Sequence, residues 1–304
     1  MRTSSLAKIF SKAVHYFGYR LLPIEHDRPI DLRASTNHPS SLLYHSYARP
    51  ILVDLSLNLG RGLQIFPFSK EHHPFVRALI KARKATNCKH TIHLELKRYY
   101  EAVQPRSAAC WLNLTYSDCP ILFQEKPWAL TMPWDQRSPD EWRVAREEFA
   151  IQENQHLGHD ISIENGWHFW GPVHPLKLQI ETERLFSLLE SIETRGLARH
   201  DLHDGDIRAI ILRKGDGSWR WRVSGGEHRA AVMAALGYPS IPARVLQIIN
   251  REDVAIWPGV ISGTFTHEAA LKVFDLIFDG SLPNVVRPWA EQINSTHFEP
   301  CAEV

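Results

Sequence analysis

Two adjacent glycines followed by an acid, a base and a guanidinium, Gly225-Gly226-Glu227-His228-Arg229, stand between a strand-like segment and an alanine-rich, helix-like one. Glycines let a backbone come close to a phosphate, amides at a helix start point toward an anion, and arginine adds a two-pronged charged contact. The chemistry that this pattern suits is the holding of an anion, with Gly225, Gly226 and Arg229 as its anchors. Glu227 and His228 are the titratable, and so candidate chemical, groups beside them. Each has a plainer use. An acid at a helix start favours the dipole, and a histidine in a glycine loop can hydrogen-bond within it.

The flanking segments explain how the loop would be positioned. Residues 207–212 are apolar and β-prone, Lys214-Gly215-Asp216-Gly217 carries turn chemistry, and Trp219, Trp221 and Val223 alternate with Arg220 and Arg222 as in a half-buried strand. A hairpin is predicted. Residues 227–236 read as a helix stopped by Gly237, and Ile241-Pro242 leads into a second apolar, strand-like run over 243–249. Upstream, Leu185, Leu188, Leu189 and Ile192 share one face of a helix predicted over 183–195, with Gly196 just beyond its last turn.

Taken in order, Gly226-Glu227-His228-Arg229, Ala230-Ala231, Leu236-Gly237 and Ile241-Pro242 resemble the ParB N-terminal and sulfiredoxin-like domain family, over about residues 170–250. Sulfiredoxin itself has a cysteine where this chain has Glu227, a departure that removes its sulfur chemistry. The resemblance implies an α+β fold, a small mixed sheet with helices, and a loop that binds the phosphates of ATP, ADP or CTP with Mg2+. Some relatives are kinases that phosphorylate free serine. The resemblance therefore implies transfer of a phosphoryl group from a nucleotide to a small hydroxylated acceptor, with nucleotide-gated DNA binding without turnover as the alternative. Gly225, Gly226, His228 and Arg229 would anchor phosphates, and Glu227 would hold magnesium or act as a base.

In relatives a short strand and a proline-containing approach precede the first helix, and His174-Pro175-Leu176-Lys177-Leu178 would supply both. His174 and Lys177 are thus further candidate phosphate contacts. Kinase relatives keep an essential acid here, whereas this chain has Lys177 and no acid before Glu181; a solvated surface lysine is the plainer reading. Glu181 and Glu183 read as first-turn acids, with a metal contact as the sharper possibility.

The rest of the chain reads as a frame for this unit. Residues 1–165 are expected to form a mostly helical region shaping an acceptor site, 166–280 the nucleotide-binding domain, and 281–304 an irregular tail. Helix starts are expected at Pro74, near Thr91, at Ser107 and at Ser138-Pro139-Asp140-Glu141, the last running through Trp142, Ala145 and Phe149. Residues 120–134 read as a buried connection, and 154–171 as a boundary rich in Asn, Gly and His. Thr266 would cap a helix containing Leu271, Phe274, Leu276 and Ile277; one helix and a tail leave no room for a helix-turn-helix reader.

At 304 residues and net charge +1 the chain carries no global polyanion signature, so nucleic acid is a possible but not a favoured partner. Cys88, Cys110, Cys119 and Cys301 lack metal spacing and are expected to be reduced thiols of a cytoplasmic protein. Residues 1–24 are basic and amphipathic; they read as a helix packed on its own protein, or as a peripheral contact with the inner membrane surface. The basic stretch at 81–89 reads as a solvated helix face, with a phosphate backbone or anionic glycan as the alternative. His200, Asp201, His203 and Asp204 read as a solvated turn rather than a metal site, and the pairs His72-His73 and His90 with His93 are weaker metal candidates. The number of copies in the functional protein is left open.

Overall fold

The computed structural model describes residues 29–45, 49–69, 72–197 and 206–295. The basic segment 1–24, the histidine-rich stretch 200–204 and Cys301 lie outside the described residues. Seven strands make one mixed sheet: β1 (Ile30–Asp31), β2 (Ile51–Ser56), β3 (Gly60–Gly62), β4 (Phe66–Pro67), β5 (Ile207–Arg213), β6 (Trp219–Gly225) and β7 (Ser240–Asn250). Their spatial order is β1-β2-β7-β5-β6-β3-β4. The pairings alternate parallel and antiparallel from one edge to the other.

This sheet does not respect a boundary at residue 165. Four of its strands, β1 to β4, come from the segment expected to be mostly helical. β2 lies antiparallel to β7, Ile51 opposite Val245 and Leu55 opposite Ile241, and β3 runs parallel to β6. Three of these strands, with two or three residues each, are too short to show a period, and the contacts that join the segment to the later strands, β2 with β7 and β3 with β6, link residues more than a hundred positions apart.

Among the described residues ten α-helices surround the sheet: α1 (Pro74–Ala82), α2 (Cys88–Ala102), α3 (Ala108–Trp111), α4 (Pro120–Gln124), α5 (Pro139–His156), α6 (Pro175–Arg195), α7 (Glu227–Ala235), α8 (Pro258–Ile261), α9 (His267–Asp279) and α10 (Arg287–Ser295). α5 opens on a capping box, in which Ser138 Oγ accepts from the Glu141 amide and the Glu141 carboxylate accepts from the Ser138 amide at 2.7 Å. α1 and α6 both begin with proline at the first turn. α6 is eight residues longer at its start than the leucine pattern predicts, so His174-Pro175-Leu176-Lys177-Leu178 is a cap and first turn, not a strand. Glu181 and Glu183 accordingly lie beyond the first turn of that helix.

Two loop expectations are also corrected. Within 154–171, Trp167, Phe169 and Trp170 are buried, with the Trp167 and Phe169 rings stacked 4.4 Å apart, so the end of this stretch, 166–171, belongs to the core whereas 155–158 are exposed. The tail expected to be irregular contains α10, whose Trp289 is buried edge-on against Tyr99 at 5.1 Å. Three helices, not one, therefore follow β7. The core runs through the aromatic cluster Phe66, Phe75, Tyr99, Tyr100, Trp111 and Trp221, which ties α1 and α2 to the sheet. Among the described residues no helix is long and apolar enough to cross a membrane.

Candidate functional site

The hairpin β5–β6 turns at residues 214–218, where Gly217 takes φ +84° and the Asp216 carboxylate accepts from the Ser218 amide at 2.8 Å. β6 then delivers Ser224, Gly225 and Gly226 to the start of α7. Gly226 has φ +88°, a left-handed conformation that an L side chain adopts only with strain. No side chain caps α7, so its first-turn amides are left to another partner. Two guanidiniums lie over the two glycines: a Cβ at Gly225 would collide with Arg208, and one at Gly226 would come within 3.3 Å of Arg229 Nη2.

These residues form one side of a cavity of about 740 Å3. Gly225, Gly226, Glu227, His228 and Arg229 all line it, so five of the seven sequence candidates are brought together. Lys177 and His174 are not. His174 is exposed and accepts from the Leu176 amide at 3.2 Å, the role of a helix cap. Lys177 is neither solvated nor at the cavity: it is 2% exposed, with its Nζ 2.8 Å from Glu181 and 3.8 Å from Glu153.

Glu227 is buried. Its Oε2 accepts from the Leu63 amide at 2.9 Å, while Oε1 has no partner within the protein. Desolvation pushes its carboxyl up to about 8, outweighing the Leu63 hydrogen bond and the charge of Arg222, so at neutral pH the group carries a proton. The amide that meets it comes from a strained turn: Leu63 and Gln64 hold φ +44° and +76°, and backbone of this kind costs roughly 1–3 kcal/mol per residue. Gln64 uses that geometry to accept from Arg222 Nη1. Neither Leu63 nor Gln64 carries a sequence signal for this role.

His228 stacks on Phe75 at 5.2 Å, and its Nε2 lies 2.6 Å from Glu181 Oε2. Glu181 is fully buried and also meets Lys177 and Arg184, whose charges, with that of His228, hold its carboxyl well below the ordinary range against the pull of desolvation. The position read as a first-turn acid is thus the group that orients the site histidine. His168, beside His228 at 5.5 Å, is held neutral by burial, and its Nδ1 has no partner. His73 is a packed neutral ring stacked on Phe68 at 5.1 Å, pushed down to about 3 by desolvation. Among the described residues no three His, Cys, Asp or Glu gather to hold a metal.

The opposite wall comes from segments with no glycine motif. Trp142, Ala145, Arg146, Phe149 and Glu153 of α5 face the cavity, joined by Trp167, His168 and Phe169. The polar face of β6 is its floor: Arg222, read from alternation as solvent-facing, is 5% exposed, and Ser224 lies next to it. Five buried polar atoms that find no partner among the described residues belong to lining residues: Trp142 Nε1, His168 Nδ1, Arg222 Nε, Ser224 Oγ and Glu227 Oε1. Buried polar groups are nearly always paired, so their convergence marks a place for a polar ligand. Six arginines line the cavity against Asp135, Glu153 and a protonated Glu227, a cationic lining that suits an anion.

The basic stretch 81–89 has a structural use instead. Lys81 meets Glu95 at 2.9 Å, Arg83 meets Glu193 at 2.8 Å and Lys89 meets Glu183 at 3.1 Å. These pairs tie α1 and α2 to their neighbours.

Compared with known proteins, residues 153–258 match the family of the ParB N-terminal domain. The matched segment takes in the end of α5, all of α6, the hairpin, the glycine loop, α7 and β7, and it leaves β1 to β4 and most of α5 outside. No curated protein matches the chain.

Proposed function

We propose that this chain, which carries a ParB N-terminal domain, binds a nucleoside polyphosphate in the cavity and transfers a phosphoryl group to a small hydroxylated acceptor. The observation that carries this reading is the meeting of a glycine-loop helix start, guanidiniums and unpartnered buried polar atoms in one cavity. The phosphates would lie against the α7 amides with Arg208 and Arg229 over them, an arrangement that needs anchored charge more than covalent chemistry. Glu227, with one unpartnered carboxyl oxygen, would hold a magnesium ion only on giving up its proton, since magnesium takes one or two carboxylates together with phosphate oxygens and neutralises charge on them. In the transfer the acceptor oxygen bonds to the terminal phosphorus and the bond to the bridging oxygen breaks. His228, its ring fixed by Glu181 and Phe75, would in its neutral form take the hydroxyl proton.

ATP, ADP and CTP, each incubated with magnesium, provide the test. Uptake and phosphoryl loss from at least one of them, reduced at least 100-fold in Arg229→Ala, are expected. Uptake without turnover leaves a nucleotide-gated binding protein, and no uptake by calorimetry overturns the reading.

A further inference from the structure

The α5 wall carries charge that the phosphate loop does not need. Arg137, Trp142, Arg146 and Trp167 alternate as a ladder, with Arg137 4.9 Å and Arg146 4.5 Å from the Trp142 ring and Arg146 5.3 Å from that of Trp167. Ring faces hold guanidiniums in place without neutralising them. Arg146 Nη1 donates to the Trp128 and Leu130 carbonyls, whereas its Nε and Nη2 make no hydrogen bond among the described residues. Arg222 stands nearby with Nη1 on Gln64 and Nε unpartnered. Asp135 is the one acid acting on both, through space only; its Oδ2 accepts from the Met132 amide at 3.0 Å.

Arg61 shows that a buried arginine without an acid need not mean a ligand. Its Nε, Nη1 and Nη2 are all taken up by the carbonyls of Ile277, Gly60 and Phe278, two of them at the end of α9. Arg146 and Arg222 keep unused donors, and both line the cavity.

We propose that the α5 wall is a second anion subsite, which holds the acidic group, carboxylate or phosphate, of the molecule that accepts the phosphoryl group. This rests on the nucleotide reading above and deepens it: the loop side takes the polyphosphate and the α5 side takes an acidic acceptor. Residues 139–152 lie outside the segment that matches the ParB N-terminal domain, so the subsite belongs to this chain's own elaboration of the site. A neutral acceptor would leave the buried Arg222 and the half-buried Arg146 with no carboxylate in hydrogen-bond reach.

The test is equilibrium titration of the full chain with inorganic phosphate and, separately, malonate, with and without a saturating non-hydrolysable triphosphate. One equivalent of small anion is expected to bind the triphosphate-loaded protein, at least tenfold more weakly in Arg137→Ala and in Arg146→Met. A preference for phosphate assigns a phosphorylated acceptor, and a preference for malonate a carboxylated one. Arg229→Ala should lose the triphosphate and keep the small anion. Arg146→Met is read only if its thermal unfolding matches wild type; the exposed Arg137→Ala keeps the test open otherwise. Competition between the triphosphate and the small anion for one equivalent overturns the proposal, as does anion binding unchanged in Arg137→Ala. If no triphosphate binds but the anion does so in an Arg137-dependent way, the nucleotide reading fails and the anion subsite stands.

Discussion

Two regions that carry cations flank His228, and they solve the problem of hidden charge in opposite ways. Behind the histidine, Lys177, Glu181, Arg184 and Glu153 form a closed cluster in which each cation meets an acid, at 2.8 Å for Lys177 with Glu181 and 3.2 Å for Arg184 with Glu153. In front of it, Arg146 and Arg222 meet carbonyls, an amide oxygen and indole rings, but no carboxylate within hydrogen-bond reach. The contrast teaches which charges are architecture and which are recognition. A matched cluster is satisfied within the chain, whereas the unmatched one keeps donors that the chain does not use, as the proposed anion subsite requires.

Breaking the matched cluster should give the largest loss. In Glu181→Gln the Lys177 ammonium stays buried with only Glu153 at 3.8 Å, and removing one partner of a buried pair costs about 3–5 kcal/mol. Urea unfolding at pH 7 should show a fall of that size, and a loss below about 1 kcal/mol would erase the distinction between the two regions. The same variant frees the His228 ring, so any transfer activity should fall further than nucleotide affinity does.

An intermediate effect belongs to Glu227, which lies between the regions and is matched only by an amide. Its folded carboxyl stands at about 8 against an ordinary 4.5, so the folded protein binds this proton more tightly than the unfolded chain. The stability that it contributes is complete below 4.5 and is lost as pH rises through 8. Between pH 6 and 8 wild type should lose about 2–3 kcal/mol from this group, and Glu227→Gln should not. Unfolding curves that keep the same pH slope in the variant would remove the buried acid from the account.

The sequence made the near side of this site legible and hid the far side for definite reasons. The hairpin, the glycine loop, α7 and β7 form a contiguous stretch whose turn, cap and stop residues are local, so their order could be read directly. The Ser138 box and Thr266 cap were visible for the same reason. Leu63 and Gln64 were not, because nothing in a Gly-Leu-Gln sequence announces left-handed backbone or a partner 164 positions away at Glu227. Arg222 was read as solvent-facing because alternation on β6 separates two faces without saying what covers the second, and α5 covers it. Likewise, Lys177 and Glu181 are i and i+4 on a helix whose start was placed too late, which hid their pairing and their burial.

The sharpest use of the comparison is the variant expected to cost least. In Arg222→Met the lost hydrogen bond to Gln64, worth about 1.5–3 kcal/mol, is offset by removal of a buried charge whose desolvation costs several kcal/mol. Stability should therefore stay within about 1 kcal/mol of wild type or rise, the reverse of Glu181→Gln, although both side chains are almost equally hidden. Affinity for the small anion, inorganic phosphate or malonate, should fall at least tenfold in the same variant, because a charge-assisted contact on the α5 side of the cavity is gone. Calorimetry and urea unfolding on one preparation decide the matter: a destabilised Arg222→Met that still binds would make this guanidinium part of the architecture. A stable variant that no longer binds makes it part of the site.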